Sequence, residues 1–363
     1  MNSLAQKGFT HEEVKKALLS NREYDVRFEL LDKDERRIGD VTASGTISSN
    51  CEMSIVREAS LTIKEIKDIN TIDERIKPYY RLRLGGKWLE FPLGVYIISS
   101  PTTQFDGYSK SRECQCFDKS VILSEDKIDS RYYIPKTQSY TTAVSQLLNT
   151  AGFTYYNIKP VGSMLSSEKE FEIGTKKIDI INDLLKAINY NPIHFDNDGV
   201  GNCTPYEDYF GRIALETYAT NKDSVIFPNV KRTLDIFNYP NKIVRYVESP
   251  DNKGCLKSVY LNVNPASKLS IPSRGRTIAD VERVNDIADQ TTLNLYTKRV
   301  AQEKLIEEIV EFETSIMPHH DYNDCIALDI PENDISGNYI EYAWEIDLTN
   351  NKMRHLCKKV VDI

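Results

Sequence analysis

Along the first third of the chain, apolar and polar positions alternate with a period of two. Tyr24, Val26, Phe28 and Leu30 interleave with Asp25, Arg27 and Glu29, which predicts a strand with one buried and one wet face. Asp32-Lys33-Asp34 supplies a turn. Further strands are predicted at 60–64, 80–84, 87–91 and 95–99, with Gly85-Gly86 as the two-residue turn of a tight hairpin. Ahead of them stands one helical stretch: Thr10 and Glu13 have capping-box spacing, and Val14, Ala17 and Leu18 share a face. That is a short arm suited to docking.

The middle third changes period. Thr141 or Thr142 is placed to cap a helix carrying Ala143, Val144, Leu147 and Leu148, and Gly152 to end it in the left-handed conformation. Ile178, Ile181, Leu184, Leu185 and Ile188 predict a second helix, after which Asn191-Pro192 turns the chain into Ile193 and Phe195 and Asp196-Asn197-Asp198-Gly199 turns it back. Strands return at 242–247 and 256–263, followed by a long polar helix at about 279–308. Near the end Ile340, Tyr342, Trp344, Ile346 and Leu348 alternate with Glu341, Ala343, Glu345 and Asp347, which predicts one apolar and one acidic face. The order is β, α+β, β, a β-rich α+β chain with no repeat of ~20–50 residues.

Composition adds limits. At 363 residues the chain exceeds one ordinary core, given about 150 residues per domain. No run of ~18 apolar residues appears, and no uninterrupted apolar stretch follows Met1, so synthesis in a cytoplasm is expected. The seven cysteines include no Cys-x-x-Cys pair, which points to reduced, buried thiols. A net charge of −8 opposes wrapping nucleic acid. Tyr outnumbers Trp by 21 to 2, a bias that suits half-wet strands and interfaces.

The search for chemistry returns little. His319 and His320 with Asp321 and Asp324 crowd together, but neighbours on a strand point to opposite faces, so a shared metal is disfavoured. Cys114 and Cys116 lack a second ligand pair and read as small buried hydrophobes. The Asp196-to-Gly199 turn lacks the ligand pattern of a calcium loop and reads as a hairpin. No Gly-x-Ser-x-Gly, phosphate-cradling loop, His-Glu-x-x-His or Gly-x-Gly-x-x-Gly is present.

Three groups of residues carry a resemblance. Phe91-Pro92-Leu93-Gly94-Val95-Tyr96-Ile97-Ile98-Ser99-Ser100, a hairpin, and Cys116-Phe117-Asp118-Lys119-Ser120-Val121-Ile122-Leu123 form the first. Phe171-Glu172-Ile173-Gly174, the helix at 178–188 and the Asp-Gly hairpin form the second. Lys242-Ile243-Val244-Arg245-Tyr246, the helix before Glu313, and Pro318 through Asp324-Cys325-Ile326-Ala327-Leu328 form the third. In this order they resemble the first barrel, middle domain and second barrel of the hub proteins of phage tails, a family that includes contractile-tail baseplate hubs and the N-terminal region of tail-associated lysins. Asn323-Asp324 stands where the family often has Gly-Asp.

The resemblance implies two tail-tube-like antiparallel β-barrel domains with a small α+β domain between them. It divides the chain into an N-terminal helical arm (1–21), a first barrel (22–129), an α+β domain (130–230) and a second barrel (231–363), with interleaving of the last two allowed. It implies a homotrimer whose six barrels form a ring, closing the distal end of the tail tube and adapting sixfold tube symmetry to a threefold tip. No catalysis, cofactor or metal is implied. The implied partners are distal tail tube ring proteins, tail tip, spike or fibre proteins, and the tape-measure protein, with DNA passing through the lumen unbound. Such a protein is assembled in the host cytoplasm and resides in the virion tail or a phage-like particle. A chain ending at Ile363 leads to the expectation of a hub without a lysin extension. Glu341, Glu345 and Asp347 are expected to face the lumen, where carboxylates repel phosphates. Two other classes stand beside this one: a tail-associated cell-wall hydrolase, requiring paired carboxylates or a metal in a cleft, and a receptor-binding or adhesion module, requiring no ring.

Overall fold

The computed structural model describes residues 1–363 apart from 65–68, 71, 166, 222–223, 235–238, 249–255, 285, 305–307 and 361–363. Helix α1 (His11–Leu18) forms where the capping box predicts it: Thr10 Oγ1 accepts from Glu13 N, and Glu13 Oε2 accepts from Thr10 N at 2.8 Å. It buries Val14 and Leu18 in the main core. The arm docks on its own chain, with Gln6 bonding both backbone groups of Glu90 and the Met1 ammonium paired with buried Asp324.

Eight strands follow: β1 (Tyr24–Leu31), β2 (Arg37–Asn50), β3 (Arg57–Lys64), β4 (Arg75–Leu84), β5 (Lys87–Pro92), β6 (Tyr96–Ile98), β7 (Thr102–Phe105) and β8 (Lys110–Phe117). Their pairings run β1-β4-β6-β8-β3-β2, and β2 pairs again with β1, so the path returns to its start. Gly85 and Gly86, at φ +54° and +76°, make the predicted β4–β5 turn.

The chain then builds a smaller unit from α2 (Ser120–Glu125), β9 (Tyr132–Ile134), α3 (Tyr140–Thr150), β10 (Tyr156–Ile158), β11 (Lys169–Phe171), α4 (Lys177–Ala187), β12 (His194–Phe195) and β13 (Gly201–Cys203). Leu147, Leu148, Ile181, Leu184 and Phe195 share its core. Both predicted helices are present, although the residue before α3 is Ser139 rather than Thr141 or Thr142. Strands β14 (Glu216–Ala219) and β15 (Lys231–Leu234) leave this unit and pair with strands near the C-terminus.

A third unit comprises β16 (Lys242–Val247), β17 (Leu256–Leu261), α5 (Ile271–Arg274), β18 (Ala279–Arg283) and α6 (Gln290–Lys304), with a core of its own around Ile243, Leu269, Leu293 and Val300. Two expectations are corrected here. The helix predicted over 279–308 begins only at Gln290, because 279–283 pairs in parallel with β16; its predicted residues 305–307 lie outside the described residues. The Lys242-to-Tyr246 segment lies in this separate sheet, not with the C-terminal strands. Strand β14 lies before residue 230 and joins the C-terminal set, an interleaving that the division at 230 allowed for.

Strands β19 (Glu308–Ser315), β20 (Asp324–Ile330), β21 (Ile335–Asp347) and β22 (Lys352–Lys359) complete the chain. They join the N-terminal strands through β2–β21 pairing, Thr46↔Asp347 to Asn50↔Ala343, giving a sheet of fourteen strands among the described residues. Within those residues no helix is long and apolar enough to cross a membrane.

Strand β2 serves three neighbours: β1 up to Val41, β3 from Thr42, and β21 from Thr46. Gly45 sits at the changeover with φ +143°, and a Cβ there would meet the Ser60 carbonyl oxygen at 2.0 Å. Only glycine accommodates that approach. Gly45→Ala is expected to lower the unfolding free energy by about 3 kcal/mol. Gly39→Ala, where a Cβ meets nothing within 4 Å, should change it by less than about 0.5 kcal/mol; urea titrations of both variants check this.

Candidate functional site

Two places concentrate polar chemistry: the outer face of the β2–β21 seam and the buried ground beneath it. On the outer face the registers align two rungs across six strands. One runs Gln115, Ser60, Thr46, Asp347, Lys352, Ser315, and the other Phe117, Glu58, Ser48, Glu345, Arg354, Glu313. Glu345 is exposed and Asp347 half-buried. Glu345 and Asp347 therefore each face a basic residue on β22, Arg354 and Lys352, so the acidic side read from the sequence is a mixed-charge face.

Glu341 does not belong to that face. It is 1% exposed, because the register of β21 against β22 shifts between Glu341 and Ala343. A bulge of one residue reverses which parity points inward. Glu341 therefore points into the core with Tyr339, whereas farther along Trp344 and Ile346 point inward. Its expected place beside Glu345 and Asp347 is corrected by this bulge.

Inside, Glu341 accepts hydrogen bonds from two imidazoles, His320 Nδ1 and His355 Nδ1, each at 2.5 Å. His320 Nε2 lies 2.6 Å from the Tyr218 hydroxyl and His355 Nε2 lies 2.8 Å from Thr314 Oγ1. Donation by Tyr218 leaves the His320 proton on Nδ1, aimed at the carboxylate. Burial opposes the charge on Glu341, but the two imidazoles outweigh it and hold the carboxyl down at about 2. Burial lowers His320 to about 4 despite the nearby carboxylate. His320, Glu341 and His355 offer donor atoms within 4.8 Å of one another, a set a metal could use. Two ligands held ~2.1 Å from one tetrahedral ion stand about 3.4 Å apart, however, and the 2.5 Å contacts are those of direct hydrogen bonds.

The adjacent histidines occupy a turn before β20, not a strand, so both point inward, with ring centroids 5.0 Å apart. His319 Nε2 meets Glu216 at 3.2 Å, and Lys15 of α1 meets the same carboxylate at 2.5 Å. Burial works against the Glu216 charge, yet these partners bring it down to about 2. Cys114 and Cys116 are buried in the main core. The Asp196-to-Gly199 segment is a hairpin turn in which Asp196 Oδ1 accepts from the backbone of Asp198 and Val200.

The residue that ties these regions together was not singled out by the sequence. Arg57, at the start of β3, is 1% exposed. Its Nε donates to the Phe195 carbonyl at 3.0 Å, Nη1 to Asn197 Oδ1 at 2.5 Å, and Nη2 to Asp321. The guanidinium lies 5.2 Å from the Trp344 ring centroid, within cation–π reach, and its backbone N–H donates to Asp118 at 2.9 Å. One side chain thus bonds the N-terminal strands, the α+β unit and the turn before β20.

No protein-family model matches the sequence, and no curated protein matches it significantly. Solved structures do. The chain is similar to the tail protein from Neisseria meningitidis MC58, with a TM-score of 0.62 at 11% identity, covering 92% of this chain and 96% of that one. The 43 kDa tail protein of prophage MuSo2 from Shewanella oneidensis gives 0.62 at 12% identity, covering 92% and 98%. The Francisella PdpA–VgrG complex gives 0.55 at 10% identity, covering 97% of this chain and 56% of that one. The fold is that of phage tail proteins, in keeping with the resemblance read from the order of elements.

Two outcomes follow from the buried groups. Arg57→Met leaves Asp321 without its cation and is expected to cost about 3–5 kcal/mol in urea unfolding. Arg57→Lys should recover only part of that, since an ammonium lacks the planar fork. Acid should act through the His320–Glu341 pair. His320 is depressed from 6.5, so its contribution is complete above pH 6.5 and is lost as pH falls toward 4. Glu341 is depressed from 4.5, so its contribution is lost between pH 4.5 and 2. Urea midpoints should decline along both limbs, and His320→Asn should flatten the upper one.

Proposed function

We propose that this chain is the structural hub of a phage tail, or of a phage-like particle, three copies of which form a ring closing the distal end of the tail tube. The observation that carries this reading is the seam. Strands β2 and β21 join an N-terminal and a C-terminal strand set edge to edge, so a single chain presents one continuous sheet with a polar outer face. The N-terminal pairings return on themselves, which supports a tube-like barrel, and we read the C-terminal set joined to it at the seam as the second such body. Three copies then supply six, which fits a sixfold tube on one side and a threefold tip on the other. Likeness to two tail proteins over nearly their whole length supports the same reading.

In this reading the two rungs across the seam line the lumen. Glu58, Glu345, Asp347 and Glu313 outnumber Lys352 and Arg354, and the remaining positions are mostly hydroxyl or amide side chains. A net acidic wall lets DNA, and the tape-measure protein before it, pass without adhering. The partners are the last ring of the tail tube above and tip, spike or fibre proteins below. The protein works by shape and charge, without a catalytic step or cofactor, in the tail of the particle.

End-on averaged electron images of the purified protein are expected to show a ring of three copies with six lobes around a hole. Reversing Glu345 and Asp347 to Lys should make the ring retain double-stranded DNA in low salt and release it as salt rises. A ring that binds no more DNA than the parent would move these residues off the lumen wall, and a protein with no ring would end the hub reading.

A further inference from the structure

Among the described residues, the three-stranded sheet β17-β16-β18 is packed by a helix on one side only. Helix α6 packs on the face carrying Ile243 and Tyr260, and Leu293 and Val300 of the helix share that core. The opposite face sets Val259, Val244 and Val281 side by side in register, with Leu261 in the next row. Val259 and Leu261 are each 45% exposed and Val281 60% exposed. Lys242 and Lys257 flank this apolar centre, together with Arg283, which meets Glu248 at 3.1 Å. Val244 between them is 6% exposed, so Val259, Leu261 and Val281 carry the exposed apolar surface, and grouped exposed apolar residues of this kind mark an interaction site.

A second exposed apolar patch is reached from the far side of α6. The loop before β14 presents Phe210, Ile213 and Leu215, which are 54%, 83% and 57% exposed, with exposed Glu207 at its margin. The loop is held on the helix: the Tyr206 hydroxyl donates to Gln302 Oε1 at 3.0 Å, and Lys298 meets Asp208 at 2.5 Å. The layers therefore run valine face, sheet, α6 and the 206–208 segment, from which 210–215 leads on to bond Asn323 and Cys325, so the two patches of one chain lie on different sides of the helix.

We infer that these patches meet between adjacent copies of the chain, the valine face of one against the 210–215 loop of the next; this rests on the ring reading above. Pairing two valine faces would set Lys242 and Lys257 of one copy against the same lysines of the other, and like charges in contact oppose association. Head-to-tail contact instead brings them beside Glu207 on a chain of net charge −8. A head-to-tail contact uses two different surfaces and closes into a ring when its rotation allows.

The test uses Val281→Asp and Ile213→Asp, both at exposed positions, with folding checked by circular dichroism and thermal unfolding. Light scattering after size exclusion then gives the assembly state. The wild type is expected as three copies and each variant as a monomer. An equimolar mixture should give a two-copy species, because it retains one intact valine face and one intact loop per pair. Disruption by Val281→Asp alone, or a mixture that stays monomeric, overturns the head-to-tail contact. Wild-type assembly that tolerates both substitutions overturns this inference and leaves the ring reading standing, whereas a wild type that is monomeric at high concentration overturns both.

Discussion

The architecture depends on a charge placed where water cannot reach it. Arg57 carries its guanidinium into the space between three parts of the chain and finds acceptors from two of them, an aromatic face, and a carboxylate. Desolvating such a group is costly, and the cost is offset only when all of its partners stand in place together. The arrangement therefore acts as a condition on the relative placement of the units: a shift of the 195–197 hairpin or of the turn at Asp321 leaves a buried cation short of an acceptor. Apolar packing alone would tolerate such sliding, because it is non-directional.

The same turn supports a second set of directional contacts. Residues 319–324 give His319 to Glu216, His320 to Glu341, Asp321 to Arg57 and Asp324 to the Met1 ammonium. Four of these six residues thus bond four different parts of the chain. What looks in sequence like a metal-binding cluster is thus a hub of fixation, dispersing its polar groups instead of converging them. The buried network holds β14 to β21 and β22 through Tyr218, His320, Glu341 and His355.

Much of the fold is legible because periodicity reports burial. The helices at 140–150 and 177–187, the β4–β5 hairpin and the strand at Tyr24 follow from residue spacing and turn chemistry alone. The site was less legible for identifiable reasons. Glu341 was placed on the wet face by strict alternation, and one bulged residue inverted it. Arg57 shares the parity of Ala59, Leu61 and Ile63, and His355 that of Met353 and Cys357. A polar residue in step with a core stripe was the available signal for both. The side-chain partners of Arg57 lie 138 to 264 positions away and those of His355 lie 14 and 41 away on other strands, and nothing local encodes such pairings. The separate β17-β16-β18 sheet is not legible in the sequence because a strand's sequence carries its faces but not its neighbours.

The seam also has a consequence for time. Strand β2 ends at Asn50, and the strand that completes it begins pairing only at Ala343. At ~5–20 residues per second, a ribosome needs roughly 15–60 s to supply that partner. Throughout this interval the N-terminal strand set presents an open edge bearing unpaired backbone groups, the kind of surface on which strands of other chains add. In a cell filled with identical nascent copies, the seam is a vulnerability until residues 343–347 have been made, and from then on the edge is sealed by β21 of the same chain.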